Sequence, residues 1–600
     1  MNRFFGLLLT VLLLSASLLT SCGDNSDNGY VPSEAEEFDT SGMDMTFTER
    51  DISASYSQNV KSITFSGGSV SGAELENNEL VIRDEGTYIL SGEAVDISVR
   101  VDAPEKKVQL VLSDLTLYNS NGYGIYLRDA KKVFITLADR TSNLVSDGES
   151  YEINDGDTAL DGAIFSKADL TINGKGSLTV NGNYKHGIDS KDDLICVNAN
   201  ITVTSKGMGL GGKDCVKLKD VSLIVNAGSD AIRSYNDTEE ARGFVYIEGG
   251  SYNLKALSDG IQAASVIKIE DGNFDITSGE SQYSQDSGKG IKAVSDLNIS
   301  GGVFKITSYD DTLHSNRSIF ITDGEFLLTS GDDGIHADSD LSISGGNIVV
   351  SKSYEGLEGE RILISGGRID VTSSDDGLNA AGGNDGSGMG GPFGGGDTFG
   401  ASDAEIVISG GYLMVDASGD GIDSNGTLTV TGGITLVSGP TNSGNGSLDY
   451  DSGATVYGGV FIATGSYGMA QGFSNAENQG AIITPTGTQT ASTSIALCDE
   501  DGKVIASFTP SKAYQSLVIS APDIKKGETY SVICGGTATG ADRNGYATDT
   551  EISGGRTVVN IEMSSLLYGS SQGMGGGGMG GGPMGPGGHG NRPGGMMPPR

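Results

Sequence analysis

Between Ser308 and Ala380 the chain repeats itself every 22 residues. Leu313, Ile335 and Leu357 hold one position in successive copies, and Leu378 follows after 21. Ile299, Ile321, Ile343 and Ile364 hold a second position on the same steps. Two registers that share a step mean one structural unit, repeated. Each copy contains short alternating apolar runs, such as Leu341–Ser344 and Asn347–Val350, divided by Gly-Gly or Asp-Asp-Gly. A period of two selects strands over helices. About 22 residues is too few for a four-stranded propeller blade and matches one coil of a parallel β-helix. The expected fold is therefore all-β, a right-handed parallel β-helix in which equivalent residues stack about 4.8 Å apart.

The apolar marker extends through Ile164, Ile188, Leu210, Ile232, Ile261, Ile291, Leu313, Ile335, Leu357, Leu378 and Ile422. Three steps are long, at 29, 30 and 44 residues. They contain polar stretches at 236–242 and 280–286 and a Gly-rich insert at 382–400. Insertions at turns leave stacked strands intact. Residues 46–160 read as irregular early coils, and the solenoid domain is expected over 46–480. Alternation without the repeat over 481–565 predicts a small C-terminal β cap or sandwich over the last coil's open edge. The Gly/Met/Pro-rich tail 566–600 cannot bury a core and is expected to be disordered.

The first 22 residues have the layout of an export signal: Arg3, an apolar run from Phe4 to Leu19, then Leu19-Thr20-Ser21-Cys22. That ending resembles a bacterial lipobox, which implies cleavage before Cys22, acylation of its thiol and a lipid-anchored place in the cell envelope. An ordinary signal peptide with a chance cysteine is the other reading. Residues 23–45 are polar and acidic, expected as a flexible tether. The formal net charge of −40 argues against nucleic acid as a partner and favours divalent cations. No CxxC spacing marks a zinc site; Cys498 and Cys534 share the last domain and their spacing leaves pairing open.

Because the fold stacks equivalent positions, repeated polar residues become ladders. Two residues before the marker stand Asp230, Asp259, Lys289, Asp311, Asp333, Glu355, Asp376 and Asp420, with Asp310, Asp332 and Asp375 one earlier. Carboxylates stacked about 4.8 Å apart repel by about 0.9 kcal/mol per pair in water, and by about 3.5 kcal/mol at an effective dielectric near 20. Calcium with oxygen ligands would bridge them; a set of solvated Asp-Asp-Gly turns is the alternative. Lys167, Lys191 and Lys213 form a second ladder, with Asp192 and Asp214 beside the latter two; His186, Asp189 and Arg233 lie close to the marker in the same coils. This basic stripe reads either as a groove for anionic polymer or as a Lys–Asp lattice that holds a corner together. His314, His336 and Glu358 also stack, but the outer two would stand about 9.6 Å apart, too far for one ion, and read as an exposed polar ladder. With Trp absent, sugar stacking falls to Tyr184, Tyr235, Tyr283, Tyr309 or Tyr354. No HExxH or P-loop is present, and the single GxSxG match, at 569–573, falls in the Gly-rich tail rather than between a strand and a helix.

The segments KADLTINGKGSLTVNGNYKHGIDSKDDL (167–194), GGKDCVKLKDVSLIVNAGSDAIRS (211–234) and SDGIQA (258–263) resemble a bacterial β-helix family usually called carbohydrate-binding domain-containing proteins. The resemblance covers roughly 46–565. It implies an exported, calcium-containing parallel β-helix with a pectate-lyase-like fold that binds cellulose-like or acidic polysaccharide. The expected function is that of a monomeric, lipid-anchored polysaccharide binder without catalysis. Two alternatives stand beside it. One is a calcium-dependent polysaccharide lyase with Lys191, Lys213 or Arg233 as base; the other is a structural adhesion protein.

Overall fold

A computed structural model of the chain describes residues 33–56, 60–151, 160–279, 288–381 and 404–569. Residues 1–32 with Cys22, Tyr283, the insert 382–400 and the tail from 570 lie outside the described residues. From Ala35 onward the chain belongs to one unit.

The marker residues pair in parallel, each with the next. Ile164 pairs with Ile188, Ile188 with Leu210, and so on to Leu378 with Ile422. Register survives the long steps, since Ile232 pairs with Ile261 and Ile261 with Ile291. In the first of these, residues 236–242 lie between the strands Ile232–Ser234 and Phe244–Ala256. Among the described residues, 42 strands join one mixed hydrogen-bonded network, almost wholly by such repeat-on-repeat pairing, and four form a separate antiparallel sheet. The ladder also runs backwards through Leu80, Val99 and Ile125 to Ile164. Steps of 19, 26 and 39 residues hid it from periodicity.

Alternation places one face inside. Val303–Ser308 alternates exposed and buried residues along its whole length. The inward rings of Tyr252, Phe274, Phe304 and Phe326 stack nearly parallel, with centroids 4.7 Å apart at each step. That spacing is the rise per repeat. Marker residues from Ile164 to Ile422 are fully buried, each worth about 1.5–3 kcal/mol relative to exposure. The recurring Gly-Gly has a steric cause. Its second glycine sits at φ +86° in Gly346 and +81° in Gly367. A Cβ on the first, at Gly345, would meet the Thr322 carbonyl oxygen at 2.1 Å.

The final repeat is closed by the C-terminal segment. Val460–Gly465 pairs antiparallel with Tyr514–Ser520, which pairs antiparallel with Ala481–Gln489. The cap reaches further than an edge cover. Leu436 and Ile462, on the flank of the last repeats, share a core with Phe508, Leu517 and Tyr530. Cys498 and Cys534 are buried free thiols on adjacent strands but out of register, opposite Ser531 and Ile495.

Residues 35–45 correct the tether reading. The Phe38 amide donates to Asp296 at 2.6 Å, and Asp296 also pairs with Arg317. Phe38, Met43, Met45 and Phe47 pack on Cys215, Phe244, Tyr246 and Val266. Lys217 Nζ donates to the Asp44 and Thr46 carbonyls at 2.9 and 2.8 Å. A single-turn helix, Glu49–Ile52, follows, with Thr48 and Asp51 forming a capping box. Asp51 is buried against Lys132 at 2.8 Å and the Thr171 hydroxyl at 2.6 Å. This segment is a strap laid across several repeats. Its acidic composition hid the spaced apolar residues that dock it.

Candidate functional site

The residue after each marker forms a continuous ladder. From Ile125 onward it carries Tyr126, Phe165, Asp189, Gly211 and Arg233. Further on it carries His314, His336, Glu358 and Asn379. Two chemically different regions result.

In the first region aromatic rings and cations interleave. Lys191 Nζ lies 5.3 Å from the Phe165 ring centroid and 5.2 Å from that of Tyr235. It pairs with Asp189 at 2.7 Å and meets the Tyr235 hydroxyl at 3.2 Å. That hydroxyl donates to Asp189 at 2.8 Å. Burial and the Asp189 charge hold the Tyr235 phenol well above its usual range, so it stays protonated as a donor. Lys167 stands over Tyr126 at 5.8 Å, and Tyr126 contacts Phe165. Lys185 pairs with Asp161 at 2.8 Å, with His186 Nε2 at 3.7 Å from the same oxygen. His186 Nδ1 accepts the Met208 amide at 2.9 Å, and burial pushes its pKa down, so it is neutral here. The Tyr151 and Tyr184 rings meet at 4.5 Å, tilted by 34°, with Tyr184 exposed. The exposed Arg233 is tied to Asp230 at 3.1 Å. Lys213 contributes through its carbonyl, which accepts the amides of Tyr235 and Asn236 and fixes the turn that carries the Tyr235 ring.

The lysine ladder thus keeps its backbone register, Lys191 N to Ser166 O and Lys213 N to Ser190 O, while its side chains do different work. Tyr123, Tyr126, Tyr151, Phe165, Asp161 and Lys185 were missed in the sequence. Tyr126 and Phe165 occupy the ladder position of Asp189, and extending the marker back to Ile125 would have found them.

The acidic ladder is met first by the backbone. Asp230 accepts the amide of Asp259, Asp259 that of Lys289, Asp311 that of Asp333, and Asp333 that of Glu355. Each carboxylate thus caps the corresponding turn of the next repeat. Asp214 is engaged by Arg242 and Asn236. Lys289, which breaks the acidic pattern in sequence, pairs with both Asp310 and Asp311.

Among the described residues, three oxygen-only groups have ligand atoms within 4.8 Å of one another: Asp169–Asp192–Asp193, Asp310–Asp311–Asp332 and Asp376–Asp420–Asp423. Burial, with Asp420, Asp423 and Asp375 nearby, pushes Asp376 up to about 9. Burial and Asp169 push Asp192 up to about 7. Burial, Glu358 and Asp333 push Glu355 up to about 10, despite its hydrogen bond from Asn379 at 2.7 Å. Such donor sets suit a hard cation. Asp375 lies beside this group, and its carboxylate bonds the Tyr354 hydroxyl.

His314, His336 and Glu358 overturn the exposed reading, because all three are buried. His314 Nδ1 is 2.8 Å from Asp311, and the two imidazole rings lie 5.0 Å apart. His336 faces Glu358, Asp333 and Asp338 at 2.6, 3.3 and 3.1 Å. Asp311 and Asp333, two residues before the marker, supply two of these partners, which spacing along one ladder could not reveal.

Comparison with known proteins bears on both regions. A family model described as "Carbohydrate-binding domain-containing protein" matches residues 76–334 and 332–555. A protein of that description from Acetivibrio thermocellus is 30% identical over 235 residues, covering 39% of this chain and 79% of its own length. A solved structure, titled as the polysaccharide lyase-like protein from C. thermocellum in a gadolinium derivative, is 32% identical over 40% of this chain and 96% of its own, with a TM-score of 0.37.

Proposed function

This chain belongs to the carbohydrate-binding domain-containing family, and from that premise we propose that it is a polysaccharide-binding right-handed parallel β-helix whose sugar site is the aromatic–cationic region from Tyr123 to Tyr235. The observation that carries the reading is Lys191 bracketed by the Phe165 and Tyr235 rings, near the exposed Tyr184. The exposed Tyr184 and half-buried Tyr235 offer rings to the apolar faces of sugars, with Phe165 and Tyr126 buried behind the surface, and Lys191, Lys185 and Arg233 suit uronate carboxylates. Acidic or cellulose-like polymers are the expected ligands. Calcium is assigned to the carboxylate groups Asp169–Asp192–Asp193 and Asp376–Asp420–Asp423, where it would offset the mutual repulsion of the carboxylates; at Asp310–Asp311–Asp332 the Lys289 ammonium already does so. Anchorage through acylated Cys22 in the cell envelope, as a monomer, completes the proposal. A glycan array with the wild-type protein and Lys191→Gln tests the sugar site; no glycan retained by the wild type rejects it.

One observation favours a second reading, a lyase. Lys191, Tyr235 and Asp189 form a closed hydrogen-bonded set. For such a set to act, Lys191 would first lose its ammonium proton to solvent; the neutral amine would then take the proton α to a uronate carboxylate while the Tyr235 phenol donates to the leaving oxygen and is reprotonated from solvent. Incubation with polygalacturonate, followed by absorbance at 235 nm, distinguishes the two. Unsaturated product supports the lyase, and none with retained binding supports the binder.

A further inference from the structure

The four histidines of this chain are few for its length, and two of them stack in successive repeats beside buried carboxylates. The arrangement around His336 differs in kind from the oxygen-only groups. Its Nε2 faces Asp338 Oδ1 at 3.1 Å. When that nitrogen carries the proton, Nδ1 is left with a bare lone pair. Yet Nδ1 points at two acceptors, Glu358 Oε2 at 2.6 Å and Asp333 Oδ2 at 3.3 Å. The Asp333 and Glu358 carboxylates also contact each other, and Asp333 Oδ1 is already engaged by the Glu355 amide.

Three potential ligand atoms, one from each of Asp333, His336 and Glu358, converge within 4.8 Å at a place closed to solvent. A single proton on Nδ1 could serve one of the two oxygens. Glu358 is 8% exposed, and its Oε2 has no hydrogen bond of acceptable geometry. Asn379, next on the same ladder and 6% exposed, carries a second buried oxygen without a partner, Oδ1. His314 stands on the other side and is committed to Asp311, whose charge Lys289 already balances.

From this geometry we infer that Asp333, His336 and Glu358 form a binding site for a first-row divalent transition ion, separate from the proposed sugar site and from the calcium groups. Imidazole nitrogen with two carboxylates is a donor set for zinc, cobalt or nickel rather than for calcium, which takes oxygen. Asp338 completes the pattern as a positioning residue. A carboxylate on the far nitrogen of a ligating histidine fixes its tautomer and turns the lone pair towards the metal. The ladder supplies one ligand from each of two adjacent repeats and the third from the turn before His336. The ion would therefore join two repeats.

The test uses the full chain, stripped with chelator, and zinc or cobalt alone as the probe in excess calcium. One tightly held equivalent by elemental analysis is expected, with visible ligand-field absorption in the cobalt form. Asp338→Asn should weaken zinc affinity about 10–100-fold in a protein that circular dichroism shows to be folded. His336→Gln should abolish the cobalt spectrum. Three results would overturn the inference: no zinc retained, displacement of zinc by calcium, or nitrogen NMR showing both His336 ring nitrogens protonated with zinc present. The last would identify an imidazolium as the balancing charge.

Discussion

The Lys289 ammonium lies 2.6 Å from the Asp311 carboxylate and 2.9 Å from that of Asp310, one repeat further along the chain. Lys289 and Asp311 are both buried. Burial opposes the charge on Lys289, but the two aspartates raise its pKa well above the usual lysine range. Removing one partner of a buried pair leaves an uncompensated charge. Lys289→Met should destabilise the protein by about 3–5 kcal/mol, read by urea denaturation. Adding Asp311→Asn should recover part of that loss. Equal stability of wild type and Lys289→Met would show that the pair contributes nothing.

Docking of the N-terminal strap should depend on acid pH. Burial raises the Asp51 pKa, but hydrogen bonds from Lys132, Thr171 and Thr48 overcome this and hold it down to about 2. A carboxyl depressed on folding stabilises above its unfolded pKa, about 3.9. That contribution disappears as pH falls through about 2. Hydrogen exchange over residues 35–56 should therefore speed up as pH drops from about 4 to 2, after correction for intrinsic rates. Asp51→Asn should show the faster exchange at neutral pH.

Calcium should matter more as pH rises. Asp376, raised to about 9, binds a proton in the folded state that the unfolded chain releases near pH 4. Stability without calcium should then fall as pH rises from about 4 to 9. Calcium must displace that proton, so its apparent affinity should increase across the same window, and the calcium-loaded protein should lose less stability. Melting curves with chelator and with calcium at pH 5, 7 and 9 measure this; identical slopes would rule it out.

The sugar site separates charge from stacking. Lys191→Gln should weaken binding to acidic polymers more than to neutral ones, and added salt should mimic it. Each exposed charge pair is worth about 0.2–1 kcal/mol, so the combined change at Lys185, Lys191 and Arg233 should exceed any single one. Tyr184→Ala should weaken both classes of polymer alike. Affinity electrophoresis on polygalacturonate and a neutral glucan gives both comparisons.

Anchorage is checked by fractionation. Native-host expression should place the protein with membranes, and Cys22→Ala should release it. Wild-type protein found wholly in the soluble fraction would contradict a lipid anchor.

The repeat was legible because Leu313, Ile335 and Leu357 obey one step and one burial rule. Stacking from Ile164 to Ile422 followed from that step alone, insertions included. Leu80, Val99 and Ile125 obey the same burial rule at unequal steps, so periodicity could not find them. The site was less legible for a related reason. A ladder reports what lies above and below a residue, and the deciding contacts run sideways. Asp333 reaches His336 across a turn within its own repeat, and Tyr235 reaches Asp189 from a turn two repeats on. The buried state of His314 and His336 also depends on this lateral packing, to which alternation is blind.

The strap has a consequence for the order in which the molecule forms. Phe38 bonds Asp296, 258 positions later, and Asp51 bonds Thr171, 120 positions later. During synthesis these early residues emerge long before their partners exist. Repeats between them can add one on another through contacts with immediate neighbours, whereas the strap must wait for a finished surface. What is made first is therefore fastened last. Once fastened, it couples distant repeats that would otherwise fray independently, turning a stack that could open one layer at a time into one that must open as a block.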